Sequence, residues 1–398
     1  MTREDIINTI NKSVEFLTNG SVNIYGRTYN GHPAFYIKHS KDDFDKELEA
    51  ITSEKKSFDR YDLYYYTNYM FKYMLGEYDA HTRMLFTDRQ ILPIKIRIIN
   101  DVPYIVDSIG EYSQYNGAEI IGINNINIDT IITELKKIIC YPSNEFLKIE
   151  LEKCLSDINV IKSLPIVDSS SEIKLITRRG EIHFDAEDIN KYVDKNIKPN
   201  YNLEIDDNTN TAIITYNMCS EEEKMIELVD KLKENKQINN YIVDLRGNVG
   251  GNSAINDHLI DFLKEKNVIV LCDERVFSSA IMCAIDLKKN GAKLIGAAPG
   301  TTISHFGNNV MYKRDKDKDL IITGSATYWY YDDDLLCKGI YKEDFQRELN
   351  DNPRLLEHNF LNVDEIVTLS LDDYINNNDS VLNYALSLFS KEESKRIL

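Results

Sequence analysis

Two serines at the start of a helical pattern are the residues of this chain that point most directly to chemistry. Ser278 and Ser279 follow a short apolar run, Val268–Leu271, and precede apolar residues at helical spacing. Serine is a preferred helix N-cap, so a capping role would explain this position without any reaction. A hydroxyl at a helix start also lies at the positive end of the helix dipole, which favours a developing oxyanion.

A glycine-rich turn, in the string DLRGNVGG, follows an earlier apolar run at Tyr241–Val243. Gly250 and Gly251 permit positive φ and let main-chain N–H groups approach a ligand, which an oxyanion hole requires. Such turns also cradle phosphates or simply join a strand to a helix. Together the two segments predict strand, glycine turn, helix, strand, serine turn and helix, with an oxyanion held by amides of Gly250, Gly251 and Ser279.

These segments resemble the C-terminal processing, or tail-specific, serine peptidases, whose catalytic core has a crotonase-like fold. The resemblance rests on DLRGNVGG, on VFSSA at 276–280 and on LGEYDAHT at 75–82. It implies that Ser278 is the nucleophile, with Ser279 as the second choice. Where the best-known members carry a lysine base, this chain has TTISHFG at 301–307. The missing lysine indicates the tricorn-like branch, which uses a Ser-His-Glu triad.

The resemblance implies His81 as the base, because it ends the upstream string. Imidazole suits this role since it is neutral near pH 7 without tuning. His305 is the alternative base, because it lies where the lysine turn of the family should be. The remaining histidines have no comparable sequence context and are His32, His39, His183, His258 and His358.

The acid that would orient the histidine is predicted to be Glu357, which precedes a stretch resembling a C-terminal element of the family. An acid in this place holds the imidazole and stabilises its cation. Asp332, Asp333 and Asp334 are alternatives, although three successive acids are typical of a solvated loop.

Composition limits the choice of partners. A net charge of −18 argues against nucleic acid and anionic membranes, because both favour a basic face. No apolar run reaches transmembrane length, and the first residues do not resemble a signal peptide. The cysteines show no CxxC spacing, which favours buried thiols in a reducing, cytoplasmic compartment, or a secreted protein if a leader was removed. No cofactor or metal site is expected.

The chain is predicted to be an α/β protein of three parts. Residues 1–88 form an N-terminal helical region, 89–187 a PDZ-like αβ module with a helical insertion at Leu147–Leu164, and 188–398 the crotonase-like core. A PDZ-like module would capture peptide at a sheet edge, although a small subdomain without a ligand fits the pattern equally well.

The predicted function is hydrolysis of peptide bonds through an acyl-enzyme, with peptide or unfolded protein as substrate. One alternative is an inactive homologue that only binds peptides, because the lysine is absent. The other is a crotonase-like acyl-CoA enzyme, since that fold also holds oxyanions with glycine turns.

Overall fold

The computed structural model describes residues 1–24, 26–193 and 199–396, and the side chains of 391–396 lie outside that description. The α-helices are α1 (Arg3–Asn19), α2 (Lys41–Ile51), α3 (Arg60–Leu75), α4 (Ile128–Lys136), α5 (Asn144–Leu155), α6 (Ile158–Ser163), α7 (Glu222–Glu234), α8 (Asn256–Leu263), α9 (Ser279–Lys289), α10 (Lys342–Asp351), α11 (Leu371–Asn376) and α12 (Ser380–Arg396). The strands are β1 (Val22–Ile24), β2 (Arg27–Tyr29), β3 (Arg83–Phe86), β4 (Ile94–Ile99), β5 (Val102–Ser108), β6 (Ile120–Ile123), β7 (Ile126–Asn127), β8 (Leu175–Thr177), β9 (Gly180–Ile182), β10 (Tyr201–Asp206), β11 (Thr211–Tyr216), β12 (Asn240–Asp244), β13 (Asn267–Cys272), β14 (Lys293–Gly296), β15 (His305–Gly307), β16 (Met311–Asp315), β17 (Leu320–Gly324), β18 (Thr327–Tyr331), β19 (Cys337–Ile340) and β20 (Glu365–Ile366).

The described residues form two compact units. Unit 1 comprises Met1–Val193 and Ser304–Glu357, and unit 2 comprises Asp194–Ile303 and His358–Leu398. The segment Ser304–Glu357 belongs to unit 1 because its strand β17 pairs with β3 near the start of the chain. The division into three consecutive domains stays a prediction.

Unit 1 combines small antiparallel sheets with helices. The sheet orders are β16-β17-β3, β15-β18-β19 and β7-β6-β8-β9, and β4 pairs with β5. The segment Leu147–Leu164 contains most of α5 and all of α6, and its being an insertion in a PDZ-like module stays a prediction. Helix α3 begins after Asp59, whose side chain accepts hydrogen bonds from the first turn. It ends at Gly76, whose φ of +57° turns the chain into the segment that carries His81.

Unit 2 is built on a six-stranded sheet with the order β10-β11-β12-β13-β14-β20. β10 runs antiparallel to β11, and the other neighbouring pairs are parallel. β11, β12 and β13 are apolar runs because central parallel strands are buried on both faces. The loops after β12 and β13 leave the same sheet edge, and they carry Gly250–Gly251 and Ser278–Ser279. The predicted mixed α/β class is confirmed. The predicted order of strand, glycine turn, helix, strand, serine turn and helix is confirmed as well.

None of the six cysteines forms a disulfide among the described residues. Burial differs among them: four are buried, Cys140 is half-buried and Cys337 is exposed, the buried ones being Cys154, Cys219, Cys272 and Cys283.

Arg246, from the DLRGNVGG string, forms ion pairs with two separate segments of unit 2. Its guanidinium donates to both carboxylate oxygens of Asp244 and of Asp379, at 2.7–2.8 Å. Asp244 ends β12, and Asp379 immediately precedes α12. The Arg246 side chain is only 16% exposed, so these contacts are weakly screened by water.

Replacing Arg246 by Met is therefore expected to lower the free energy of unfolding by about 2 kcal/mol, because two carboxylates lose their cation. Urea unfolding followed by circular dichroism measures this change. Arg347→Met is the matched control, since Arg347 is 64% exposed and its ion pairs lie at the surface. Equal shifts in both variants would contradict the assigned role of Arg246.

Candidate active site

The backbone of Ser278 is strained. Ser278 is the residue before α9, with φ +53° and ψ −128°. A positive φ is uncommon for a residue with a β-carbon, and such strain persists where the surrounding structure imposes it. Unlike an ordinary N-cap, Ser278 makes no side-chain capping bond. Among the described residues its hydroxyl has no hydrogen-bond partner, so the group is available to a ligand.

Ser279 differs from its neighbour. Its hydroxyl donates to the Gly251 carbonyl at 2.6 Å, and the residue is 6% exposed. This bond connects the serine turn to the glycine turn and engages the hydroxyl. Of the two serines predicted as nucleophiles, Ser278 is therefore the one that the geometry favours.

Gly250 allows the two turns to approach each other. Its φ is +95°, and a β-carbon there would lie 2.8 Å from the Ser278 Cβ and 2.8 Å from the Ser279 nitrogen. Its own N–H donates to Asn248 Oδ1 at 2.8 Å, so Gly250 is not the oxyanion donor that the sequence suggested. The N–H groups of Gly251 and Ser279 have no acceptor among the described residues. These two amides are the candidate oxyanion donors beside Ser278.

Gly250→Ala is expected to lower the reactivity of Ser278 toward an active-site serine probe by at least about a hundredfold, because the added methyl group displaces the serine turn. Gly247→Ala is the matched control, since Gly247 also has a positive φ, +80°, but open space around its missing Cβ. The rate of labelling by a fluorophosphonate measures both. If both variants lose labelling rate to a similar extent, the cause is backbone strain and not crowding by the added methyl group.

His81 is a buried imidazole in unit 1, 8% exposed, in the loop between α3 and β3. Burial lowers the pKa of His81 to about 3, although Asp79 acts in the opposite direction. A hydrogen bond between the ring and the Phe306 main chain also raises this pKa, so the ring is the donor in it. His81 is therefore neutral at pH 7, as a general base for serine must be.

Asp79 is the acid closest to His81. Its Oδ1 lies 3.8 Å from His81 Nδ1 and accepts the His81 main-chain N–H at 2.7 Å. The hydroxyls of Thr82 and Ser325 also donate to this carboxylate, which is fully buried. Burial would raise the pKa of Asp79, but its hydrogen bond with His32 and the other donors hold this pKa well below the usual range. The carboxylate is therefore ionised.

His32 completes this cluster in unit 1. Its Nδ1 accepts the Ala34 N–H at 3.0 Å, and its Nε2 lies 2.9 Å from Asp79 Oδ2. Because Nδ1 accepts in the first contact, the ring proton is on Nε2 and is donated to Asp79. His32 could not be chosen from the sequence, because it lies 47 residues before Asp79 and outside every motif. Asp79 did lie inside the LGEYDAHT string, two residues before His81.

Unit 1 also contains three other residues that the sequence singled out: His305, Glu357 and Asp332. His305 is on β15, and its ring stacks near that of His81, with the centroids 6.2 Å apart. Both candidate bases are thus neighbours. Glu357 pairs with Arg354 at 2.9 Å, and its side chain is 46% exposed. Asp332 accepts main-chain N–H groups of its own turn.

Acid is expected to destabilise the folded chain through His81. An unfolded histidine binds its proton near pH 6.5, whereas folded His81 binds it near pH 3, so stability falls as pH drops below about 6.5. Urea midpoints between pH 7 and 4 measure this loss. His81→Gln should show a shallower decline over this range, and an unchanged slope would contradict a buried neutral imidazole.

Two further features of the described residues bear on the site. No group of three or more His, Cys, Asp or Glu side chains in this part of the chain could hold a metal ion. None of its helices is both long and apolar enough to cross a membrane.

Comparison with solved structures identifies proteins of similar fold. Mature CPAF matches with a TM-score of 0.59 at 9% identity, over 98% of this chain and 97% of that chain. Mature CPAF complexed with lactacystin matches with a TM-score of 0.59 at 8% identity, over 97% and 98%. The photosystem II D1 C-terminal processing protease matches with a TM-score of 0.45 at 8% identity, over 96% and 98%. No family model matches the chain, and no curated protein matches it in sequence.

The resemblance to C-terminal processing peptidases that the sequence motifs suggested is confirmed as a likeness of fold. The fold comparison rests on CPAF, because that match covers nearly the whole length of both chains. At such low identity the likeness concerns the fold and does not transfer activity or site residues.

Proposed function

We propose that the chain is a serine peptidase that hydrolyses peptide bonds in peptide or unfolded protein substrates. The observation that carries this proposal is Ser278, held at positive φ with an available hydroxyl beside two available amides. Such a strained turn at a helix start exposes a nucleophilic hydroxyl and leaves the following amide to hold the oxyanion. The fold shared with CPAF supports the proposal.

In the proposed reaction, Ser278 Oγ attacks the substrate carbonyl while His81 takes its proton. The N–H groups of Gly251 and Ser279 hold the oxyanion of the tetrahedral intermediate. His81 then returns the proton to the leaving amine, which departs and leaves an acyl-enzyme. Water, deprotonated by the same imidazole, hydrolyses this ester and regenerates Ser278.

Asp79 is proposed as the acid that stabilises the His81 cation during these steps. It is ionised, buried and 3.8 Å from His81 Nδ1, so its field acts through a medium of low polarity. Glu357, the acid that the sequence indicated, is the weaker proposal, because it is half-exposed and paired with Arg354.

We also propose that unit 2 has a crotonase-like core and that unit 1 contains a PDZ-like module. A crotonase-like core is supported by the parallel sheet of unit 2, with the glycine and serine turns leaving one edge. A PDZ-like module is supported by the four-stranded antiparallel sheet β7-β6-β8-β9 with α4 beside β6 and β7. Its edge strands β7 and β9 could accept an extended peptide by strand addition.

Labelling with a fluorophosphonate, followed by mass spectrometry of the modified peptide, tests the nucleophile. We expect the label on Ser278, and its loss in Ser278→Ala and His81→Ala. Ser279→Ala is the comparison variant: it keeps the amide and loses only the bond to the Gly251 carbonyl, so labelling of Ser278 should slow but persist. Competition by lactacystin, the compound bound in the CPAF complex, would support the same site.

Loss of labelling in His305→Ala but not in His81→Ala would move the base to His305. A folded chain that binds peptide without labelling would support the inactive homologue.

Asp79→Asn is expected to reduce the labelling rate by about a hundredfold or more, because the His81 cation loses its counter-charge. Glu357→Gln should change the rate less than about threefold, as is usual for an exposed ion pair. Thermal unfolding of both variants controls for folding. The reverse order of effects would restore Glu357 as the acid.

A further inference from the structure

Unit 1 contains a cavity of about 520 Å³ that the proposed reaction does not use. Residues of β3, α5 and α6 line it, together with the segment after α4. Part of the wall is apolar and includes the side chains of Phe86, Ile138 and Val160. Protein interiors rarely leave voids much larger than a water molecule, and this volume lies within the range of small-molecule sites.

The polar part of the wall carries more positive than negative charge. Glu150 accepts from Arg83 at 2.9 Å and from Lys153 at 2.6 Å, one cation on each oxygen. Asp157 accepts from Arg89 at 2.8 Å. Burial would raise the pKa of Glu150, but Lys153 and Arg83 lower it to about 2, so both oxygens share one negative charge. Three cations against two carboxylates leave one positive charge in a chain whose net charge is −18.

The two arginines retain unused hydrogen-bond donors. Arg83 donates to Glu150 through one nitrogen, and Arg89 donates to Asp157 through Nε alone. A guanidinium has five N–H donors, and among the described residues the others have no side-chain or main-chain acceptor. Both arginines line the cavity, so a ligand that enters it contacts them, and their side chains are 38% and 53% exposed. A carboxylate matches the paired donors of a guanidinium.

We propose that this cavity binds a small amphiphilic carboxylate, an unbranched apolar chain ending in one carboxylate, of the medium-chain fatty acid class. The single surplus positive charge matches a monoanion better than a phosphate monoester, which carries about −1.5 to −2 at pH 7. The apolar wall beside Phe86 and Val160 takes the chain. This proposal does not depend on the peptidase activity.

Isothermal titration of the full chain with decanoate, below its micelle concentration, tests the proposal on the unaltered protein. Decanol and decyltrimethylammonium keep the apolar chain and remove or reverse the charge. We expect decanoate to bind at least about tenfold more tightly than either, as a charge-assisted contact implies. Absence of decanoate binding, or equal binding of the alcohol, would overturn the proposal, as would binding only of a peptide with a free carboxyl end.

Two variants locate the ligand. Arg83→Met removes the surplus charge and should weaken decanoate binding by about ten- to a hundredfold. Val160→Phe enlarges an apolar side chain of the wall and should weaken decanoate and decanol alike. Arg347→Met is the matched surface control and should leave binding unchanged. Binding that survives both cavity variants would place the ligand elsewhere and refute the assignment.

Discussion

The ionised carboxylate of Asp79 is the group on which the candidate site in unit 1 depends. It is fully buried, and no lysine or arginine of the described residues pairs with it. A buried charge needs several hydrogen-bond donors, and here His32, Thr82, Ser325 and the His81 main chain supply them. The same bonds hold the loop after α3 in place. They therefore stabilise the buried charge and position His81 at the same time.

In unit 2 the governing constraint is the close approach of two turns. Parallel pairing of β12 with β13 brings both turns to one edge of the sheet. Gly250 leaves no room for a methyl group against the serine turn, and the Ser279 hydroxyl bonds to the Gly251 carbonyl. These contacts account for the strained backbone of Ser278, because a relaxed conformation would require the turns to separate.

The sequence predicted the elements of the site better than its interactions. Apolar runs and glycines were sufficient to predict the strands and turns of unit 2, because those signals are local. They could not show that the Gly250 N–H is occupied by Asn248, which depends on how the turn folds back. His32 was beyond sequence reasoning, since its role arises only when distant segments pack around Asp79. Likewise, the assignment of 304–357 to unit 1 depends on strand pairing across more than two hundred residues.

The neighbouring imidazoles of His81 and His305 limit how the site can handle protons. His305 lowers the pKa of His81, because two cations 6.2 Å apart in a buried region would repel each other. Asp79 and the Phe306 main chain act in the opposite direction and favour a proton on His81. In the proposed reaction His81 therefore accepts a proton against its burial and against His305, while Asp79 and the Phe306 main chain stabilise its cation.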